Sequence, residues 1–247
     1  MIVIPMAGQS RRFYEAGYSR PKYELALNGE SLFANCTRSF EHYFPSEHFV
    51  FICREGWGAR EFVESECARL GVAHASVVCL SENTRGQAES VLLGLDGAGC
   101  ADTESLLIFN IDTIRPHYVF PAVADSADGY LEVFCGEGDH WSFVQPSAAF
   151  GSRVARTTEK ERISDLCCTG MYHFARADDF RAVCKAALDD LDAYRARWGE
   201  LYIAPMYNTM IASGKRVVYH ETLRGDVHFA GTPAEYDALI AAQPDLF

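Results

Sequence analysis

Four cationic side chains, Arg11, Arg12, Arg20 and Lys22, fall within a span of twelve residues near the start of the chain, just after the small-residue turn Ala7-Gly8. Glycine lets backbone N–H groups come close to an anion, and successive N–H groups form a nest for phosphate oxygens. Arginine and lysine supply positive charge against phosphoryl oxygens. The bland alternative is a solvated basic loop, and the neighbouring Gly8 and Pro21 favour a shaped one. The segment lacks Gly-x-x-x-x-Gly-Lys-Ser/Thr and Gly-x-Gly-x-x-Gly, which weakens a Walker-type hydrolase and a hydride-transfer enzyme alike. No Gly-x-Ser-x-Gly elbow is present either.

Asp112 follows the apolar run Leu106–Phe109. A carboxylate just beyond a buried strand is well placed to hold Mg²⁺, which takes oxygen ligands and shares them with substrate phosphates. It could equally cap the next element or pair with Arg115. Glu159-Lys160, in isolation, reads as an exposed turn pair, and Gly170 as a glycine at a strand start. His140, His173, His220 and His228 share no metal-ligand spacing.

The elements that must position these residues fall into two halves. Ile2–Met6 is a short β-branched run of the kind buried on both faces of a parallel sheet. Ala7–Lys22 has no period and reads as a loop. Tyr23–Leu27 is strand-like and ends at Asn28-Gly29, and Ser31 is an N-cap for a helix running towards Pro45. Strands at Phe49–Cys53, Val72–Leu80 and Leu106–Phe109 alternate with helices at Arg60–Leu70 and Ala88–Leu95. That alternation over residues 1–115 predicts a mainly parallel sheet flanked by helices, with ligands outside the carboxyl ends of its strands. In residues 116–247, strands are predicted at Tyr130–Phe134, Ser142–Gln145, Arg153–Thr157, Met171–Phe174 and Arg216–Tyr219. Helices are predicted at Asp178–Tyr194, Tyr202–Ser213 and Pro233–Ala242. No repeat or long linker separates the halves, so the second completes the sheet of one domain and covers its ligand face.

The chain has 247 residues, 49% of them hydrophobic, enough for one full α/β core. No apolar run approaches the ~18 residues of a membrane span, and the expectation is a soluble cytoplasmic protein. Nine cysteines without a Cys-x-x-Cys pair read as reduced structural thiols. A net charge of −12 argues against nucleic acid or an acidic membrane as partner. Oligomerisation leaves no clear mark, and a homo-oligomer stays open.

Taken in order, the motifs resemble the sugar-phosphate nucleotidyltransferase family, which joins a nucleoside triphosphate to a sugar 1-phosphate or a similar phosphorylated small molecule. Its opening Ala-Gly-x-Gly-Ser/Thr-Arg-Phe/Leu and later Pro-Lys are matched by Ala7-Gly8-Gln9-Ser10-Arg11-Arg12-Phe13 and Pro21-Lys22. Thr84-Arg85-Gly86-Gln87-Ala88-Glu89 looks like the base-recognition turn. Asn110-Ile111-Asp112 looks like the metal motif, Val154 to Lys160 like the strand ending in Glu-Lys, Thr169-Gly170-Met171-Tyr172 like Thr-Gly-x-Tyr, and Gly231-Thr232-Pro233 like the late Gly-Thr-Pro. The resemblance implies a Rossmann-like, GT-A-like mixed sheet and a Mg²⁺-dependent enzyme releasing pyrophosphate, of use in surface polysaccharide precursor synthesis. It implies Arg12, Lys22 and Asp112 as catalytic residues. The nucleotide would be held by Ala7 to Arg11, Asn83, Gly86, Gln87 and Asn110, and the acceptor by Glu159, Lys160, Thr169 and Gly170. The chain departs from the pattern at Ser10, Arg11 and Glu161, and Phe229 stands where many members carry a second metal Asp. Asp226 is the nearby candidate to replace it. Two rival readings are a glycosyltransferase using Asn110-x-Asp112 as its metal motif, and a catalytically weak nucleotide-binding regulator.

Overall fold

In a computed structural model of the chain, residues 1–56, 58–148 and 151–247 are described. The first half runs β1 (Ile2–Pro5), α1 (Arg11–Glu15), a hairpin of β2 (Ala26–Leu27) and β3 (Glu30–Ser31), α2 (Leu32–Arg38), β4 (His48–Arg54), α3 (Ala59–Leu70), β5 (His74–Leu80), α4 (Gln87–Gly97) and β6 (Leu106–Phe109). The second half adds β7 (Thr113–Ile114), β8 (Gly129–Cys135), β9 (Ser142–Pro146), β10 (Val154–Glu159), β11 (Leu166–Phe174), α5 (Ala177–Asp189), α6 (Leu191–Trp198), α7 (Tyr207–Ala212), β12 (Val217–Thr222), β13 (His228–Phe229) and α8 (Pro233–Ala242).

Among the described residues, nine strands form one sheet, with the path β10-β9-β11-β6-β1-β4-β5 and with β8 joining β11 to β12. β1, β4, β5 and β6 are parallel. β4 and β5 lie to one side of β1, and β6 lies to the other. The chain therefore reverses its direction of growth between β1 and β6, and a crevice opens there beyond the strands' carboxyl ends. The unbroken apolar runs follow from cover on both faces. Val3, Val50, Ile52 and Ile108 pack on the side of α4 and α5. Ile2, Ile4, Phe49 and Phe51 pack on the side of α2 and α3. Each fully buried side chain of this size stabilises the fold by roughly 1.5–3 kcal/mol.

β11 connects the halves. Met171–Phe174 pairs antiparallel with β6, and Cys167 pairs with Phe143 of β9. Its register against β8 shifts between Cys168 and Tyr172, so Thr169-Gly170 forms a bulge that re-aims the strand at the crevice.

Several boundaries differ from the sequence reading. The predicted loop Ala7–Lys22 contains α1, because buried Phe13 anchors it against Tyr18 and Tyr236. Lys22–Glu24 is a 3-10 turn, leaving only Ala26–Leu27 as strand. The predicted helix Asp178–Tyr194 breaks at Asp190, whose ψ of 50° is not helical. The predicted helix from Tyr202 begins later, since Leu201 is hydrogen-bonded to Arg85 and Ala88 and a 3-10 turn at Ala204–Met206 precedes it. β11 starts five residues before the predicted Met171, at Leu166. Ser31 caps α2 as read, its Oγ accepting the Ala34 N–H at 3.0 Å, and Gly71 closes α3.

Candidate active site

A cleft of about 950 Å³ opens at the crevice. Every motif residue named above as catalytic, nucleotide-binding or acceptor-binding lines it. Asp226 does not. It sits in a 3-10 turn, accepts a hydrogen bond from Thr222 Oγ1 at 3.3 Å and lines a separate cavity of about 250 Å³ beside His117 and Phe247. Proximity to Phe229 in sequence is undone by β13, which turns the chain towards β7 after Asp226.

The β1 side of the cleft is built by the turn into α1. Ser10, in the place of the resemblance's second glycine, has φ 49° and ψ 27°, the left-handed conformation that a glycine would adopt freely. Its Oγ accepts the backbone N–H of Lys22 at 3.1 Å. That bond ties the loop to the Pro-Lys segment. Lys22 Nζ then reaches across to Asp112 Oδ2 at 2.5 Å, with both side chains about four-fifths buried. Asp112 is held at the end of β6, where its carbonyl accepts the Ala230 N–H at 2.8 Å. Arg11 and Arg12 line the rim and are exposed.

The turn before α4 is clamped from outside. Leu201 donates to the Arg85 carbonyl at 3.1 Å and accepts from the Ala88 N–H at 2.9 Å. A Cβ on Gly86 would lie 2.4 Å from the Leu201 nitrogen, so only glycine allows this approach. Glu89 is buried and receives both the Arg85 backbone N–H and its guanidinium. Its carboxyl is held below the ordinary glutamate range by those bonds, against the opposing effect of burial. At the start of α4, Gln87 Nε2 donates to Asn110 Oδ1 at 2.5 Å. Gly170 has φ 93°, and a Cβ there would meet Asn110 Nδ2 at 2.4 Å. The bulge of β11 thus presses directly on the amide that Gln87 holds.

Across the cleft, Glu159 ends β10 and is buried, with Ser142 Oγ donating to its Oε2. Burial pushes its carboxyl above the usual glutamate range, while Ser142 and Lys160 oppose the shift. Lys160 has φ 53°, and its backbone N–H donates to Trp141 O at 2.8 Å. Its Nζ donates to Tyr202 Oη at 2.7 Å and lies 4.0 Å from Glu159 Oε1. Burial pulls this ammonium down, but the Tyr202 hydrogen bond and the glutamates outweigh it, and the net shift is upward. Thr169 Oγ1 faces inward instead, donating to Glu132 at 3.3 Å.

Beyond the motif residues, the cleft also holds Phe229, Tyr202 and Glu235. Phe229 occupies the expected place, paired with Thr113 beside Asp112, but as a ring against Trp141 at 4.7 Å. Tyr202 reads in sequence as the first residue of a helix. Glu235 closes a capping box with Thr232. Its Oε2 and Asp112 Oδ2 also face one point above Gly231, 3.5 and 3.2 Å from where a Cβ would stand. Spacing of Glu235 from Gly-Thr-Pro is the one signal that could have marked it.

The donor chemistry near Asp112 suits a hard divalent cation. Two carboxylates converge on a space kept open by Gly231, and Mg²⁺ is commonly held by one or two carboxylates with the rest of its shell from phosphates and water. No group of three or more potential protein ligands forms among the described residues.

No protein-family model and no curated protein matches the chain. Among solved structures, the nucleoside-diphosphate-sugar pyrophosphorylase from Vibrio cholerae RC9 is 44% identical, over 98% of this chain and 100% of that one, with a TM-score of 0.92. The chain belongs to the nucleoside-diphosphate-sugar pyrophosphorylase family of sugar-phosphate nucleotidyltransferases. Two more distant structures share the pyrophosphorylase fold. The inositol-1-phosphate CTP transferase from T. maritima is 17% identical over 99% of this chain and 96% of that one, TM-score 0.74. A UTP-bound UGPase from Acinetobacter baumannii is 14% identical over 99% and 94%, TM-score 0.69. No helix of the described residues is long and apolar enough to cross a membrane.

Proposed function

We propose that this family member condenses a nucleoside triphosphate with a sugar 1-phosphate, or a similar phosphorylated small molecule, to give a nucleoside-diphosphate-activated product and pyrophosphate. The observation that supports it most is the meeting of Lys22 and Asp112 at the crevice between β1 and β6, with Lys160 on the facing wall. A cleft of about 950 Å³ is at the upper end of ordinary ligand sites and has room for two substrates.

An oxygen of the acceptor phosphate attacks the α-phosphorus. The bond from that phosphorus to the β-phosphate oxygen breaks, and pyrophosphate leaves with the electron pair. A phosphate is already an anionic nucleophile at neutral pH, so positioning and charge neutralisation carry the catalysis. Arg12 grips the departing pyrophosphate, and Lys22 neutralises the α-phosphoryl oxygens. The turn at Gly8 offers its N–H groups to the triphosphate, and Gly86 with Gln87 borders the base. Lys160 holds the acceptor phosphate, while Glu159 and Gly170 border the acceptor body. Asp112, with Glu235 facing the same space, would hold Mg²⁺, which supplies charge neutralisation between the phosphates when bound. A cytoplasmic setting and a role in surface polysaccharide precursor synthesis accord with such a product.

The rival reading as a glycosyltransferase needs no grip on pyrophosphate. Incubating the protein with each of four triphosphates against a panel of sugar 1-phosphates and other phosphorylated metabolites, with Mg²⁺, decides between them. Pyrophosphate release that depends on both substrates is expected. Transfer from a nucleotide sugar without pyrophosphate would replace the proposal.

A further inference from the structure

Arg54, the last residue of β4, belongs to none of the motifs and does not line the cleft. Its Nη1 donates to Asn83 Oδ1 at 2.5 Å, and Gln9 Nε2 donates to the same oxygen at 2.9 Å. Gln9 and Asn83 do line the cleft, one from the turn after β1 and one from the turn before α4. A primary amide can be turned either way round, and its orientation is decided by its partners. Here one partner settles it. A guanidinium has only N–H donors and stays charged. The oxygen of Asn83 must therefore face Arg54, which leaves the Asn83 N–H₂ as the group available elsewhere. Gln9 must offer its own N–H₂ to that shared oxygen, which leaves its carbonyl available. One donor-only side chain outside the cleft thus imposes a donor at Asn83 and an acceptor at Gln9.

We propose that Arg54 is a positioning residue for base choice, acting through Asn83 and Gln9. The proposal rests on the reading that this end of the cleft takes the nucleobase. Bases come in pairs with inverted patterns at their exocyclic groups. Cytosine and adenine carry an amino donor where uracil and guanine carry a carbonyl acceptor. An amide pair of fixed polarity accepts one member of such a pair and leaves an unmatched polar contact with the other. An amide pair free to flip accommodates both.

The test is an equilibrium titration of the full chain with CTP, UTP, ATP and GTP, reading the Kd ratio within each inverted pair. Wild type is expected to discriminate about tenfold in the pair it prefers, the order of one mismatched hydrogen bond at an exposed contact. Arg54→Met frees the amides and brings that ratio to within about twofold, and Arg54→Lys, also charged and donor-only, restores it. Asn83→Asp keeps an oxygen for Arg54 and Gln9 but exchanges the donor for an acceptor, and reverses the direction of preference. The proposal is overturned if Arg54→Met weakens all four nucleotides in proportion, which would make Arg54 a general charge. It is also overturned if wild type has no preference within either pair, or if Asn83→Asp leaves the ratio unchanged. These readouts need no turnover. Base-selective binding without pyrophosphate release would sink the transferase reading and leave this one standing.

Discussion

Lys22 is held at two points, its backbone by Ser10 Oγ and its ammonium by Asp112. Removing the ammonium by Lys22→Ala leaves the first contact intact, so the fold should persist. Loss of one charged contact to a transition state costs about 3–4 kcal/mol. Steady-state pyrophosphate release should therefore show kcat lower by at least about a hundredfold, with an unchanged circular dichroism spectrum. Turnover near wild type would remove Lys22 from the catalytic set. Gly170 makes a different demand. At φ 93° and with Asn110 Nδ2 2.4 Å from a Cβ position, Gly170→Ala meets both strain and a clash. It should lower stability by about 1–3 kcal/mol in urea unfolding. At this scale the motif residues that line the cleft were legible, because their types and spacing stand out in consecutive positions. Tyr202 and Glu235 were not, since aromatic and helix-cap residues have common structural uses that spacing cannot separate from a place in a cleft.

At the scale of elements, Glu30 joins the β2–β3 hairpin to two helices. Its carboxylate accepts from Arg38 of α2 at 2.9 and 3.1 Å and from Arg69 of α3 at 2.6 Å. The Arg38 hydrogen bond, against some burial and aided by Arg69, lowers its pKa from 4.5 to about 2. A depressed carboxylate adds stability that is fully present above its ordinary value and is lost as pH falls towards the folded one. The difference in Tm between wild type and Glu30→Gln should thus be largest above pH 4.5 and close as pH approaches about 2. A difference that is flat across this range would show that the ion pairs contribute nothing. Element types in the first half followed from apolar runs and caps. Ends were harder to read where the partner lay far away, as with Leu201, whose hydrogen bonds go to Arg85 and Ala88.

Across the whole molecule, the two halves share one sheet. β6 from the first half pairs with β11 from the second along Met171–Phe174, and β8, β9, β10 and β12 extend from there. Neither half can unfold without exposing the edge of the other. Thermal unfolding should be a single transition, with far-ultraviolet and near-ultraviolet signals coinciding and the calorimetric enthalpy equal to the van't Hoff value. Two separated transitions would divide residues 1–115 from 116–247.

By itself the sequence determined the parallel strand–helix alternation, the glycine turn with its cluster of cations and the order of the motifs. Those depend on local periodicity, on small residues at turns and on charge, all of which are written in consecutive positions. Tertiary structure alone decided which acid accompanies Asp112. Asp226, three residues before Phe229, is carried into a separate cavity, and Glu235, beyond Gly-Thr-Pro, faces Asp112 across Gly231. The physical reason is that a side chain's direction at the end of a strand is set by pairing with a distant partner, here Phe229 with Thr113, and not by its distance along the chain.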